Sequence, residues 1–368
     1  LLAIDQEGGK VARLSASNGF AASSTAYDLG TVLNQEGPTR GNASMMADWF
    51  VQTGLTMNLA PVVDVNVNPA SPAIGALKRS FSADAATVAR HASWFIDEFH
   101  AKRVLTALKH FPGHGSAKAD SHLGFTDITT TWTDAELDPY RALLAEGKPD
   151  AIMTGHLFNR SIDSVYPATL SYATITGILR NQLGFDGVVM SDAMGMKAIT
   201  SHYGLDEAMV LAVNAGVDLL LYTTNRDSAG NSLARRIVDV LERHVQEGTI
   251  ATSRIDASYA RIMALKGSFV TGVVRAGSLD LPSAMRLSNY PNPFNPVTSV
   301  QYTLHSDGPA KMQVFDLLGR VVATPVDGYH RAGVHTVRFD GTSLGSGMYI
   351  CRLESAGGTA IHRLALVK

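Results

Sequence analysis

The sequence predicts an α/β protein: a barrel of alternating strands and helices over residues 1–270, then a small antiparallel β-sandwich over 287–368. Three observations carry this. Short apolar runs alternate with amphipathic helical stretches through the first 270 residues. Most of those runs end in a polar or charged residue. Beyond about residue 286, helical periodicity gives way to short alternating strands separated by glycine turns.

The expected strands are Leu1–Asp5, Thr56–Val65, Val104–His110, Ala151–His156, Gly187–Asp192 and Val217–Tyr222. Several are nearly continuous apolar runs, the pattern of strands buried on both faces of a parallel sheet. Helices are expected between them, for example at Ala85–Lys102 and Asp206–Ala215. Repeated β-α alternation allows a barrel or a doubly wound sheet. The polar residues favour the barrel: Asp5, Asp64, Lys109, His110, His156 and Asp192 all lie at strand C-termini, which converge on one mouth in a barrel. A doubly wound sheet would place a Gly-rich phosphate loop at one switch point. No such loop is present, and Gly113-His114-Gly115 lacks the ending of a P-loop. Only six strands are visible, so one upstream β-α unit is expected to be missing. The chain opens Leu-Leu-Ala-Ile-Asp and not with Met, so any signal peptide would lie further upstream.

In the C-terminal part the expected strands are Ser299–Leu304, Lys311–Phe315, Val321–Thr324, His335–Phe339, Met348–Leu353 and Ala360–Val367. Residues 271–286, with Gly, Ser and Pro, read as a linker.

Composition narrows the function. With 368 residues, 45% of them hydrophobic, the chain can bury a large core, and more than one domain is expected. A formal net charge of −2 gives no electrostatic case for nucleic acid or an anionic membrane. The single cysteine, Cys351, excludes an intrachain disulfide and reads as a small core residue. No apolar run is long enough for a membrane span.

The segment Lys109–His122 holds three histidines, two lysines and an aspartate in fourteen positions. It starts at a strand end and enters a loop containing Pro112, Gly113 and Gly115. Such polar density after a buried strand is costly unless it serves a site. Asp120 and His122 are two apart, so in an extended loop they project the same way. The carboxylate can then take the Nδ1 proton of His122 and leave Nε2 free to exchange a proton with substrate. Asp192, at the end of an apolar strand, is rigidly held and suits attack on the anomeric carbon of a sugar.

Milder readings stand beside these. His110, His114, His122 and Asp120 could hold a metal, but no zinc-type spacing stands out, and neither a metal nor a cofactor is expected. His114 reads as ordering the loop through a hydrogen bond. Asp192 could cap the following helix, and Arg79 could be only an ion-pair partner. Asp64 and Asp186 read as structural, His156 has no assigned role, and Trp49, Trp94 and Trp132 read as core.

Lys-His-Phe-Pro-Gly-His-Gly at 109–115, with Asp-Ser-His at 120–122, resembles the signature of family 3 glycoside hydrolases, in the NagZ-like β-N-acetylglucosaminidase branch. So do Asp5-Gln6-Glu7-Gly8-Gly9-Lys10-Val11-Ala12-Arg13, Ala60–Val65, Arg79-Ser80-Phe81 and Gly184–Asp192, collinear across nearly all of residues 1–270. The resemblance implies a (β/α)8 TIM-type barrel whose first β-α unit precedes this chain. It implies a retaining exo-β-N-acetylhexosaminidase acting on terminal N-acetylglucosamine in peptidoglycan or chitin-type oligosaccharides. Asp192 aligns with the nucleophile, His122 with the general acid/base and Asp120 with its partner. Asp5, Arg13, Arg79, Lys109 and His110 align with sugar-binding positions. Two alternatives stay open: a phosphorylase, which would use phosphate in place of water, and a truncated inactive module that only binds sugar.

Residues 287–368 resemble a different family, the sorting domain of the type IX secretion system with a FlgD-like immunoglobulin fold. The matching residues are Leu287–Pro296, including Tyr-Pro-Asn-Pro-Phe-Asn-Pro, then Val314–Arg320 and Ser346–Tyr349. This implies secretion or cell-surface display, with the export machinery as a partner.

Overall fold

The computed structural model describes residues 1–227, 230–271, 287–304, 306–355 and 358–368. The chain divides into two units, Leu1–Val273 and Val274–Lys368. Most of the expected linker, residues 272–286, lies outside the described residues.

The first unit is built on five parallel strands: β1 (Ala3–Ile4), β2 (Met57–Asn58), β3 (Leu105–Phe111), β4 (Ala151–Thr154) and β5 (Val188–Ser191). Each pairs with the next in chain order, and a bridge from Met190 to Leu219 continues the series. The order never reverses, so the sheet has no switch point and curves as part of a barrel. All seven residues of β3 are buried, as its apolar run predicts for a strand covered on both faces.

Helices cover the outside. Glu36–Thr53, Ala85–Ala101, Asp138–Ala145, Leu205–Ala215 and Thr252–Thr271 are α-helical, and Ala173–Gln182 is a wider helical segment. In Ala85–Ala101 the apolar residues Val88, Ala92, Phe95, Ile96 and Phe99 recur at helical spacing and are all buried. Asp84 starts this helix by accepting from the Thr87 backbone at 2.9 Å.

Every expected strand of this unit except Val104–His110 is shorter in the structure, and Thr56–Val65 and Val217–Tyr222 lose the most. Thr56–Val65 yields only Met57–Asn58, because Pro61 has no N–H to continue the ladder. The chain stays buried beyond it, and Val63 donates to the Lys109 carbonyl at 2.8 Å. Val217–Tyr222 contributes the bridge at Leu219 and no full strand.

The second unit contains β6 (Leu287–Tyr290), β7 (Val297–Leu304), β8 (Gly308–Phe315), β9 (Val321–His330), β10 (Gly333–Asp340), β11 (Gly347–Ser355) and β12 (Gly358–Leu366). They form two antiparallel sheets, in the orders β6–β7–β10 and β9–β8–β11–β12. Val300, Tyr302, Met312, Val314, Cys351, Leu353 and Leu364 alternate inward to make the core. Burial there pushes the Cys351 thiol up to about 12, so it stays protonated. β9 runs past Thr324, where the sequence reading ended it. It is an edge strand with an irregular register opposite Met312–Val314, so Pro325 removes no needed ladder bond.

Candidate active site

The carboxyl ends of the parallel strands open into a cavity of about 720 Å³. All eight residues that the sequence singled out line it: Asp5, Arg13, Arg79, Lys109, His110, Asp120, His122 and Asp192. They come from β3 and from loops up to 187 residues apart, brought together by the sheet.

The first wall is a short hairpin after β1. Gln6 shapes it: its amide oxygen accepts from Arg13 and Leu14 backbone N–H, both at 2.9 Å, while Asn58 pins its backbone from β2. Asp5 and Glu7 therefore point into the mouth. Lys109, only 2% exposed on β3, reaches both, at 2.8 Å to Asp5 and 2.7 Å to Glu7. Burial alone would lower the Lys109 pKa, but the two carboxylates outweigh it and hold the ammonium charged. One of its three N–H donors remains for a ligand.

Glu7 is the site residue that sequence reasoning left unassigned. Arg79 grips it with a two-pronged ion pair, Nε at 2.7 Å and Nη2 at 2.8 Å. Arg79 also donates from Nη1 to the Ala73 carbonyl at 2.8 Å and meets His110 Nε2 at 3.2 Å. The fork expected to face a sugar is thus closed on Glu7, which leaves one Nη1 hydrogen of the five unengaged. The signal for Glu7 was its place two residues beyond Asp5. Its partners lie 72 and 102 residues away in sequence. Arg13 is more exposed and pairs with Asp5 at 3.4 Å.

His110 is fixed by Asp64, a fully buried carboxylate. Asp64 Oδ2 accepts from the His110 Nδ1 at 2.7 Å, and Oδ1 accepts from the backbone N–H of His110 and His114 at 3.1 and 2.7 Å. This directs His110 Nε2 toward Arg79 and the cavity. Asp64 is structural, as its burial demands, and its structural task is to aim a site residue.

Asp192 follows β5. Its carboxylate accepts from the Ala193 N–H at 2.7 Å and caps no helix; the next helix, Lys197–Thr200, begins four residues later from Met196. Burial pushes the Asp192 carboxyl up, but the His110 and His156 rings, the Ala193 N–H and Lys109 outweigh it and hold the group below its usual range. It is therefore ionised at neutral pH. His156 is buried beside it, bonded to Thr169 Oγ1 at 2.8 Å and to the Ala193 carbonyl at 3.0 Å. It braces the peptide that follows Asp192.

His122 and Asp120 form the pair that their spacing predicts. Asp120 Oδ1 accepts from His122 Nδ1 at 2.8 Å and from the His122 N–H at 2.9 Å. Burial pushes the Asp120 carboxyl up; the two His122 hydrogen bonds outweigh it and keep the group ionised. The His122 side chain is 56% exposed, with Nε2 unengaged.

Among the described residues, no cluster of three or more His, Cys, Asp or Glu side chains is arranged to hold a metal ion. The three loop histidines diverge: His110 turns to Asp64, His114 to Ser121 and His122 to Asp120. No helix among the described residues is long and apolar enough to cross a membrane.

An ionised carboxylate and a carboxylate-backed histidine share one polar cavity at the mouth of a parallel α/β sheet, an arrangement fit for acid/base and carboxylate chemistry. Comparison with known proteins makes this specific. Residues 1–265 match the glycosyl hydrolase family 3 N-terminal domain, and the chain belongs to that family. β-Hexosaminidase LpqI of Mycobacterium tuberculosis is 35% identical over 276 residues, covering 72% of this chain and 68% of that protein. β-Hexosaminidase A of Pseudoalteromonas piscicida is 31% identical over 282 residues, covering 72% of this chain and 47% of that one. The chain thus spans about half to two thirds of these relatives. The family 3 β-N-acetylglucosaminidase of Paenibacillus sp. FPU-7 superposes with a TM-score of 0.67 at 33% identity, over 80% of this chain and 58% of that one. Residues 288–367 match a secretion system C-terminal sorting domain, which directs a chain to secretion or the cell surface.

Proposed function

We propose that this chain is a retaining exo-β-N-acetylhexosaminidase that removes terminal β-linked N-acetylglucosamine from peptidoglycan or chitin-type oligosaccharides. One observation carries the reading: Asp192 and the His122–Asp120 pair line the same cavity as five further polar residues fit to hold a sugar ring. The names of the relatives supply the sugar.

In the first step an Asp192 oxygen attacks the anomeric carbon. The bond to the aglycone oxygen breaks, and that oxygen takes the electron pair and the His122 Nε2 proton. Asp120 holds the Nδ1 proton throughout. In the second step water attacks the anomeric carbon of the glycosyl–Asp192 ester and gives a proton back to Nε2. Asp192 leaves as a free carboxylate. Two inversions at one carbon give net retention. Lys109 donates to sugar hydroxyls and Asp5 accepts from them, while Arg13, Arg79 and His110 close the ring pocket. The neutral histidine takes the place of the second carboxylate of most retaining glycosidases, which avoids a second negative charge near the ester. The five-stranded sheet fits a (β/α)8 barrel. The C-terminal unit fits an immunoglobulin-like sandwich that addresses the enzyme to type IX export.

Asp192→Ala is expected to abolish phenol release from p-nitrophenyl N-acetyl-β-glucosaminide while the protein stays folded. Turnover like that of wild type in this variant sinks the nucleophile assignment. Assays with and without inorganic phosphate separate hydrolysis from phosphorolysis, and rates independent of phosphate are expected.

A further inference from the structure

The loop that carries the acid/base pair has a fixed base and a projecting tip. The base, Pro112–Ala117, is held on several sides. Trp132 Nε1 donates to the Pro112 carbonyl at 3.0 Å, the His114 N–H to Asp64 at 2.7 Å, and the Gly115 N–H to Glu136 at 3.1 Å. Asn68 donates to the Gly115 and Ala117 carbonyls at 3.0 and 3.1 Å. Gly115 lies so close to Val65 that an added Cβ would sit 1.6 Å from its carbonyl oxygen, so only glycine fits.

The tip, Lys118–Gly124, contains Asp120 and His122. Among the described residues one hydrogen bond ties it to the base: His114 Nε2 with Ser121 Oγ, at 3.1 Å. Both side chains are buried, at 2% and 1% exposure. Ser121 stands between Asp120 and His122 in sequence, yet it turns inward while the His122 side chain turns out to the cavity. Fixing the Ser121 hydroxyl therefore fixes the backbone from which both members of the pair project. The other end of the tether is common to the sugar side of the site, because Asp64 grips the His114 backbone and the His110 ring at once.

We infer that His114 and Ser121 are positioning residues that set His122 over the aglycone oxygen, with Asp64 keeping the tether in register with the sugar-facing His110. This rests on the reading of His122 and Asp120 as the acid/base pair. Burial holds the His114 ring neutral, its pKa pushed down to about 4, so the tether persists across the neutral pH range. The hydroxyl touches no reacting atom. Its removal should therefore weaken only the proton transfers at His122 Nε2, of which the first governs aglycone departure.

The test is kcat/KM, which reports aglycone departure, for wild type, Ser121→Ala, His122→Ala and the double variant. Two substrates are compared: a 2,4-dinitrophenyl N-acetylglucosaminide, whose phenol leaves unaided, and an N-acetylglucosaminyl disaccharide, whose leaving oxygen needs a proton. Loss of one neutral hydrogen bond should lower the disaccharide value roughly fivefold or more in Ser121→Ala. The dinitrophenyl value should stay within about twofold, since that step needs no general acid. Ser121→Ala should add nothing further in the His122→Ala background. Equal loss on both substrates, or a full further loss in the double variant, overturns the tether. Leaving-group dependence in His122→Ala but not in Ser121→Ala overturns the tether alone. Its absence in both overturns the acid/base reading and the tether with it.

Discussion

Glu136 is a fully buried carboxyl with one oxygen bonded to the Gly115 N–H and the other, Oε1, meeting no donor. Burial lifts its pKa from the ordinary 4.5 to about 7; Ser116 and the Gly115 N–H pull it down by less, and the buried Asp64 charge adds to the rise. A raised folded-state pKa contributes stability that is fully present below about pH 4.5, where folded and unfolded chains both carry the proton. That contribution is lost as pH rises through about 7. The span corresponds to on the order of 3 kcal/mol. Glu136→Gln keeps the Gly115 acceptor and stays neutral at every pH. Its melting temperature should match wild type near pH 4.5 and exceed it by several degrees at pH 8. An offset that does not change with pH would refute the argument. Nothing local in the sequence marks Glu136, because its neighbours lie across a loop. The Asp120–His122 pair was legible because its partners are two residues apart. The Glu7–Arg79–Lys109 cluster was half legible: each residue stands in a polar motif, but only the fold shows that Arg79 closes on Glu7.

At the scale of elements, the strands were readable wherever one apolar run lies between two faces of packing, as in β3. Proline accounts for two of the misjudged strands, while Val217–Tyr222 fell short with no proline in it. Pro61 ends the β2 ladder early, while Pro325 is harmless on the edge strand β9. Legible strand ends fixed the mouth of the site, but the closure at the opposite end was invisible. There Asp218, its side chain fully buried, accepts from Arg180 at 2.7 Å, Arg254 at 2.8 Å, Ser258 at 2.7 Å and the Val189 N–H at 2.9 Å. One carboxylate thereby joins β5, the helical segment Ala173–Gln182 and the helix Thr252–Thr271. Its partners are 29 to 40 residues distant, beyond any periodicity. Asp218→Ala strands Arg180 and Arg254 near a buried gap, removes one of the two carboxylate partners of Arg261, and should cost roughly 3–5 kcal/mol in denaturant unfolding. Because Asp192 stands at the other end of β5, kcat/KM of the folded fraction should hold. A selective loss of kcat/KM without loss of stability would contradict the division of labour between the two ends of the sheet.

The two units are packed in different ways. The first unit packs helices on a parallel sheet around residues such as Phe111, Tyr140 and Val189; the second packs two antiparallel sheets around Met312, Cys351 and Leu353. Among the described residues each of these clusters is drawn from one unit, so damage to one is expected to leave the other's chemistry intact. Leu353 is fully buried in the core of the sandwich, and Leu353→Ala leaves a cavity there at a cost of about 2–5 kcal/mol. In a unit of this size that loss is a large fraction of the total stability. Calorimetry of the full chain should show the sandwich transition lowered by ten degrees or so and the transition of the first unit unmoved. Hydrolysis of the aryl glucosaminide at 25 °C should stay within about twofold of wild type, while export from the cell should fall, since a sorting domain that is partly unfolded presents no fixed surface to a secretion machine. Loss of hydrolysis in step with the sandwich transition would mean that the catalytic unit depends on the sorting domain for its fold. Loss of neither would mean that export reads a short segment, such as the Tyr290–Pro296 run, and not the folded sandwich.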